Sequence, residues 1–498
     1  MKKKVIVIGS GFAGLSAATS LADKGFSVQL LEKNDQPGGR ARSFFDEGYT
    51  FDMGPSWYWM PDVFESYFNR FGKSVSDYYE LIRLDPSYRV YYGENDYLDI
   101  PASLKELYAI FESIEKGSSE KLRRFLSDSA YKYEIGIRDL VYKPGRSLLE
   151  FADARILKGF FQLDLLKSMR TYVHSNFKNP RIRQLMEFPI LFLGGTPANT
   201  PALYSLMNYA DMALGTWYPK GGMYKIVEAM VSLAEEKGVE IITNAEVHGI
   251  EVNASKMAER VITSKGDYEA DIIVAGADYH HVEQHLLEPA HRRYSEKYWE
   301  NRKMAPSCLI FYMGVRKKLE GIKHHNLFFD KDFDQHARDI YDHPQWPENP
   351  LFYVSATSKT ETETAPAGCE NLFVLMPVAP GLDDDHFVRE KYYDRIMNRM
   401  EILTNQSIID FVDYRKSYAH SDFISDYNAF KGNAYGLANT LKQTAILKPS
   451  LKSSKVHNLY YTGQLTVPGP GVPPALISGQ VVAGEVEKDF AGPNKIAI

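Results

Sequence analysis

Cysteine is almost absent from this chain of 498 residues: Cys308 and Cys369 stand far apart, and neither belongs to a CxxC pair. That excludes a disulfide framework and a thiolate metal site, and it suits a reducing cytoplasm. The paired histidines His280-His281 and His324-His325 are adjacent in sequence and cannot share a helix face, so no metal is expected. A basic excess is missing too. The formal net charge is −6, against the positive surface that a general nucleic-acid binder needs, so no nucleic-acid partner is expected. The longest stretch without charge, Phe188 to Ala210, is interrupted by Pro189, Gly194-Gly195, Pro197 and Pro201. Such a segment could not satisfy its own backbone in lipid. "MKKKVIVIG" begins like a secretory signal, but its apolar run stops at Gly9, short of the roughly 7–15 residues a signal core needs. Internal repeats, low-complexity linkers and a second nucleotide-binding glycine motif are lacking as well.

What is present is a globular composition, 44% apolar and 24% charged, on a chain too long for one core. Val5-Ile6-Val7-Ile8 is a β-branched run of the kind that forms a parallel strand buried on both faces. Gly9, Gly11 and Gly14 follow as GxGxxG, then a helical pattern ending at Gly25, then a second strand "FSVQLL" that finishes at Glu32. Gly9 permits the tight turn, Gly11 lets backbone approach a pyrophosphate, and Gly14 lets helix and strand pack closely. The helix N-terminus favours phosphate, and Glu32 arrives where a carboxylate can accept from ribose hydroxyls, with Lys33 beside it. Just beyond stands "PGGRAR". Its Gly39 and Arg40 are placed to meet the pyrophosphate of FAD, with Arg40 neutralising charge. Two solvated arginines on a surface turn are the plainer alternative.

The pattern predicts an α/β chain whose glutathione-reductase-like, Rossmann-type FAD domain is assembled from separated segments, 1–80, 220–290 and 450–490. Residues 81–219 and 291–449 are read as an α+β substrate-binding and membrane-associating domain with a helical membrane-contact region. Within it, about 81–215 reads as largely helical, with a capping-box start at Ser103–Glu106. Without a second Rossmann motif, the flavin is expected to take electrons from substrate rather than from bound nicotinamide.

Several segments together resemble one family, the bacterial carotenoid desaturases typified by bacterial phytoene desaturase. They are "VIGSGFAGLSAATSLADKGFSVQLLEKNDQPGGRARSF" with "FDMGPSW", "FLGGTPANTPALYSLMNYADMALGTWYPKGGM", "APAGCENLFVLMPVAP", "DFISDYNAFKGNAYGLANTLKQTA" and "NLYYTGQLTVPGPGVPPALISG". The first and last are shared with wider FAD oxidoreductases, and the middle ones are more specific. The resemblance implies an FAD enzyme that desaturates a long polyisoprenoid without NADPH and passes electrons to quinone or oxygen. It places Gly54-Pro55-Ser56 at a flavin-side turn and Val247 at the adenine. It places Trp217–Gly222, Gly463 and Gly471-Val472-Pro473 around the isoalloxazine. Gln464 departs from an acid common after the C-terminal glycine of many flavoenzymes, so contact there would rest on backbone and Gln464. Phytoene to lycopene is the leading reaction implied. A 1-hydroxycarotenoid 3,4-desaturase, a diapophytoene desaturase, a carotenoid isomerase and an amine oxidase are the enzyme alternatives. A non-catalytic prenyl-lipid binder of the GDP-dissociation-inhibitor fold is the alternative of a different class.

The chemistry needs a proton acceptor, and no motif supplies one. Asp211, the lone carboxylate between Phe188 and Pro219, is the candidate, since burial there would raise its pKa; a solvated helix residue is the equal alternative. Trp57-Tyr58-Trp59 and Trp217-Tyr218 could face an allylic cation, although packing is the simpler role. Residues 155–186 carry seven Lys or Arg and one acid, Asp164, interleaved with Phe160, Phe161, Leu163, Leu165, Leu166 and Met169. That suits an interfacial helix on anionic lipid, or a core-packed helix with a solvated basic face. The expected location is cytoplasmic, peripheral on the inner face of the cell membrane.

Overall fold

A computed structural model describes residues 2–147, 150, 167–440 and 443–490 of the chain. Strand Lys4–Ile8 lies at the middle of a five-stranded sheet whose order is Leu459–Tyr461, Ile272–Ala275, Lys4–Ile8, Ser27–Leu31, Glu240–Ile242. Every pairing in it is parallel. Its β-branched residues are sealed on both faces. Val5 and Val7 point to a core shared with helices Phe12–Asp23 and Val472–Phe490, while Ile6 and Ile8 point to a second core. That second core is closed by the antiparallel ribbon Val247–Val252, Ala258–Thr263 and Gly266–Glu269. The period of two in "VIVI" thus becomes a sheet with a layer on each side.

The sheet gathers strands from the beginning, middle and end of the chain, and Gly479 shows how tightly the ends are joined. A Cβ there would stand 2.4 Å from the Ala13 carbonyl oxygen. Only glycine lets the last helix lie this close to the first.

A second sheet of seven strands runs Val412–Tyr418, Ser307–Val315, Glu370–Val378, Phe352–Ser355, His325–Phe328, Tyr88–Gly93, Asp96–Ile100. Its pairings are antiparallel except that of His325–Phe328 with Tyr88–Gly93. Here the structure corrects the helical expectation for 81–215. Residues 88–93 and 96–100 are strands, because Tyr88, Val90 and Ile100 are buried at one end of this sheet, and 81–83 pairs with Trp217–Pro219 in a separate two-stranded sheet; the sequence pattern could disclose neither partner. Helices begin at Leu104–Ile114, where the Ser103 side chain accepts from the Glu106 N–H at 3.4 Å, and continue with Ser118–Ile135.

Of the basic segment 155–186, residues 155–166 lie outside the described residues. The remainder forms helices Met169–Asn176 and Pro180–Glu187. Met169, read as lipid-facing, is instead buried together with Val173, Ile182 and Leu185. Arg170 pairs with Asp334 and with the buried Glu187, the latter at 3.2 Å. This part of the segment is core-packed. No helix among the described residues is long and apolar enough to cross a membrane.

Candidate active site

A cavity of about 390 Å³ lies between the carboxyl ends of the parallel strands and one face of the seven-stranded sheet. Its dinucleotide end is built from the turns that follow four parallel strands: Gly9–Ala13, Glu32–Asn34, Gly276–Asp278 and Gly463-Gln464. This is the crevice where open α/β sheets bind ligands. Its far wall is a row across four antiparallel strands. Ile310 pairs with both Leu375 and Tyr418, and Leu375 pairs with Tyr353, so Tyr418, Ile310, Leu375 and Tyr353 present one face inward.

The structure brings nearly all the expected cofactor residues to this one space. Gly9, Gly11, Glu32, Lys33, Gly39, Arg40, Gly54, Pro55, Ser56, Val247, Gly463, Gln464, Val472 and Pro473 line it. Gly14 lies beneath, where a Cβ would stand 1.9 Å from the Gly9 carbonyl oxygen. Gly9 itself has φ +92° and donates its N–H to the Leu31 carbonyl at 2.7 Å. Glu32 is held firmly. Its Oε2 accepts from Ser10 N at 2.8 Å and Ser10 Oγ at 2.5 Å, and its Oε1 accepts from Asn34 N and Nδ2 at 2.9 and 3.1 Å. All four acceptor positions are filled, so a ribose hydroxyl would take the place of the rotatable Ser10 Oγ–H. Lys33 donates to the Ser425 carbonyl at 2.7 Å and pairs with Glu246 at 3.2 Å, and Gln464 Nε2 donates to Asn433 Oδ1 at 3.2 Å.

Two observations test whether a dinucleotide fits. At Gly11, the residue before helix Phe12–Asp23, an added Cβ would meet nothing within 4 Å, so the helix N-terminus opens onto empty space. Arg40 stacks on Tyr427 with 5.1 Å to the ring centroid, donates to the Asn433 carbonyl at 3.1 Å, and keeps a buried Nε with no partner among the described residues. Burial lowers the Arg40 pKa, and the nearby Asp278 carboxylate opposes that effect. A buried cation with an unused donor beside an open helix N-terminus is the donor set a pyrophosphate requires.

Other expected residues are placed elsewhere. Asp211 is buried but does not line the cavity. Tyr88 Oη donates to it at 2.7 Å and Thr216 Oγ1 at 3.4 Å, and burial pushes its pKa up to about 7. Trp217–Gly222 does not line the cavity either. The "WYW" run divides: Trp57 and Trp59 face the cavity, whereas Tyr58 packs on Phe64 and meets Tyr79 Oη at 3.0 Å. Sequence reasoning assigned no role to Asp278, Tyr353, Tyr427 or Tyr435, which also line the space. The one available signal was that Tyr427 and Tyr435 fall in "DFISDYNAFKGNAYG", quoted above only for its resemblance.

A dinucleotide crevice joined to an apolar chamber defines a flavoprotein oxidoreductase. Residues 12–487 match the family of flavin-containing amine oxidoreductases. The chain is 43% identical to a carotenoid 3,4-desaturase of Haloarcula japonica, with 98% of each chain covered. It is 32% identical to a zeta-carotene-forming phytoene desaturase of Myxococcus xanthus, covering 96% of this chain and 93% of that one. A crystal structure of an oxidoreductase from Methanosarcina mazei shares the fold, with a TM-score of 0.63 at 16% identity over 97% of this chain and 100% of that one. The protein belongs to the FAD-dependent carotenoid desaturases, within the flavin-containing amine oxidoreductases. FAD is its cofactor.

Proposed function

We propose that the protein desaturates a carotenoid at the 3,4 position. The observation that supports this most is its 43% identity to the Haloarcula 3,4-desaturase over nearly the full length of both chains. Phytoene desaturation, expected from the sequence to run to lycopene, becomes the second reading; for its substrate it draws on the 32% identity to the zeta-carotene-forming Myxococcus enzyme.

FAD supplies the hydride acceptor when bound. Arg40 and the N-terminus of helix Phe12–Asp23 hold the pyrophosphate, and Glu32 holds the ribose. The apolar wall of Trp57, Trp59, Met60 and Met207 receives the hydrocarbon and keeps water from it. Electrons leave to a quinone or oxygen. A lipid-resident substrate calls for peripheral membrane contact, which we assign to the amino-terminal part of the basic segment, 155–166.

The test is incubation of FAD-loaded protein with liposomes containing either a 1-hydroxylated carotenoid or phytoene, with quinone or oxygen, followed by pigment chromatography. The hydroxylated carotenoid is expected to gain one double bond while phytoene is left largely unchanged. Lycopene from phytoene, with the hydroxylated carotenoid untouched, would replace this reading with the second.

A further inference from the structure

Next to the main cavity lies a second space of about 20 Å³, whose polar lining is Asp52, Ser56, Tyr218, Ser355, Thr357 and Asn371. A space of that size holds one water, which needs two to four polar partners. Polar groups face it: the buried hydroxyls of Tyr218 and Ser355 make no well-formed hydrogen bond among the described residues, with Glu361 and Thr357 near the first and Tyr353 near the second. Ser56 belongs to both spaces. Tyr353 Oη donates to Ser56 Oγ at 3.0 Å and meets His325 Nδ1 at 2.6 Å. With the phenol hydrogen directed at Ser56, His325 donates from Nδ1, and the hydroxyl hydrogen of Ser56 is turned toward another acceptor. Burial lowers the His325 pKa well below the usual histidine range, with His324 adding to it, so the imidazole is neutral.

The opposite wall is Asp52. Its carboxylate accepts from Met223 N at 2.9 Å and Tyr224 N at 3.2 Å. Burial pushes its pKa up to about 6, against those two N–H groups and with the charge of Glu361 adding to the rise. Tyr218 also faces Asp52 and Glu361, and it packs against His324 with ring centroids 4.6 Å apart. Glu361, half-buried, accepts from Gly221 N at 2.8 Å.

We propose that this chamber is the exit for the substrate's proton: Ser56 passes it from the cavity to a water held in the chamber, and Asp52 receives it. The inference rests on the carotenoid-desaturation reading. Desaturation breaks two C–H bonds. One hydrogen leaves with both bonding electrons to FAD; the other leaves as a proton, and its bonding pair becomes the new C=C. Ser56 Oγ takes that proton while its own hydroxyl hydrogen moves to the water, and the water's excess proton goes to the Asp52 carboxylate. Release past Glu361 to solvent restores the starting state. Asp211, which lines neither space, takes no part.

The experiment uses the purified holoenzyme with the carotenoid it converts. In FAD-saturated enzyme, Ser56→Ala is expected to lower kcat at least tenfold with KM unchanged, and Ser56→Thr, which keeps a hydroxyl, to restore most of it. Wild-type kcat is expected to rise as pH passes about 6, because Asp52 must be ionised to accept the proton. Asp52→Asn is expected to lose that rise. Apart from turnover, a crystal structure of the resting enzyme is expected to show one ordered water in the chamber. An active wild type with a Ser56→Ala variant of unchanged kcat, or a dry chamber, overturns this inference alone. A wild type that converts no carotenoid overturns the reading beneath it, and the inference falls with it.

Discussion

Gly11 and Gly14 belong to one motif and answer differently to a side chain. A Cβ at Gly11 points into empty space, whereas one at Gly14 meets the Gly9 carbonyl at 1.9 Å. Gly11→Val is therefore expected to give a folded protein that purifies without its yellow colour, by far-UV circular dichroism and flavin absorbance. Gly14→Val is expected to lose the fold as well, since backbone cannot yield as a side chain can. Lys448 is a different case. Its Nζ is buried with no partner among the described residues, and burial lowers its pKa to about 7. Between about 7 and its ordinary 10.5 the unfolded chain binds a proton that the folded one refuses, so stability rises with pH across that window. Lys448→Met is expected to stabilise the protein at pH 7 by on the order of a few kcal/mol and to flatten this dependence, read by denaturant unfolding at several pH values. The motif glycines and Glu32 were legible because their demands are local. Lys448 was not, because nothing in "AILKPS" shows that its amine is buried.

At the scale of elements, local signals held wherever an element's partner did not matter. The strand–glycine–helix opening and the Ser103 cap are such cases. The failure came at 81–100, where Leu81–Arg83 pairs with Trp217–Pro219 and Tyr88–Gly93 pairs with His325–Phe328, partners far away in the chain. The contact between helices Phe12–Asp23 and Val472–Phe490 is equally nonlocal. Gly479→Leu would force the two apart, since its Cβ would meet Ala13 and Ala17 backbone at 2.4 and 2.7 Å. The expected cost is at least about 1–3 kcal/mol in urea unfolding, with loss of bound FAD at the sheet ends these helices cover.

At the scale of the whole molecule, burial narrows where the proposed membrane contact could lie. Met169 is taken up by the interior and Arg170 by ion pairs, which leaves residues 155–166 for the membrane contact proposed above. Arg155→Glu together with Lys158→Glu is expected to reduce co-flotation with anionic liposomes several-fold, leaving FAD content unchanged. Binding that stays at the wild-type level would remove the membrane assignment. Composition had little to say here, because a net charge of −6 conceals a basic segment and gives no hint which of its cations are paired.

By itself the sequence determined the dinucleotide crevice and the family. A glycine turn, a helix N-terminus and a terminal carboxylate perform their chemistry within about thirty residues, so their order along the chain is already their geometry. Only the tertiary structure decided the rest. It turned Trp57 and Trp59 to the cavity and Tyr58 away, and it set Asp211 behind the wall. It also enclosed Asp52 and Ser56 with Tyr218, Ser355 and Asn371 around room for one water. Those residues come from four distant segments, and a buried polar space exists only once long-range packing has closed it.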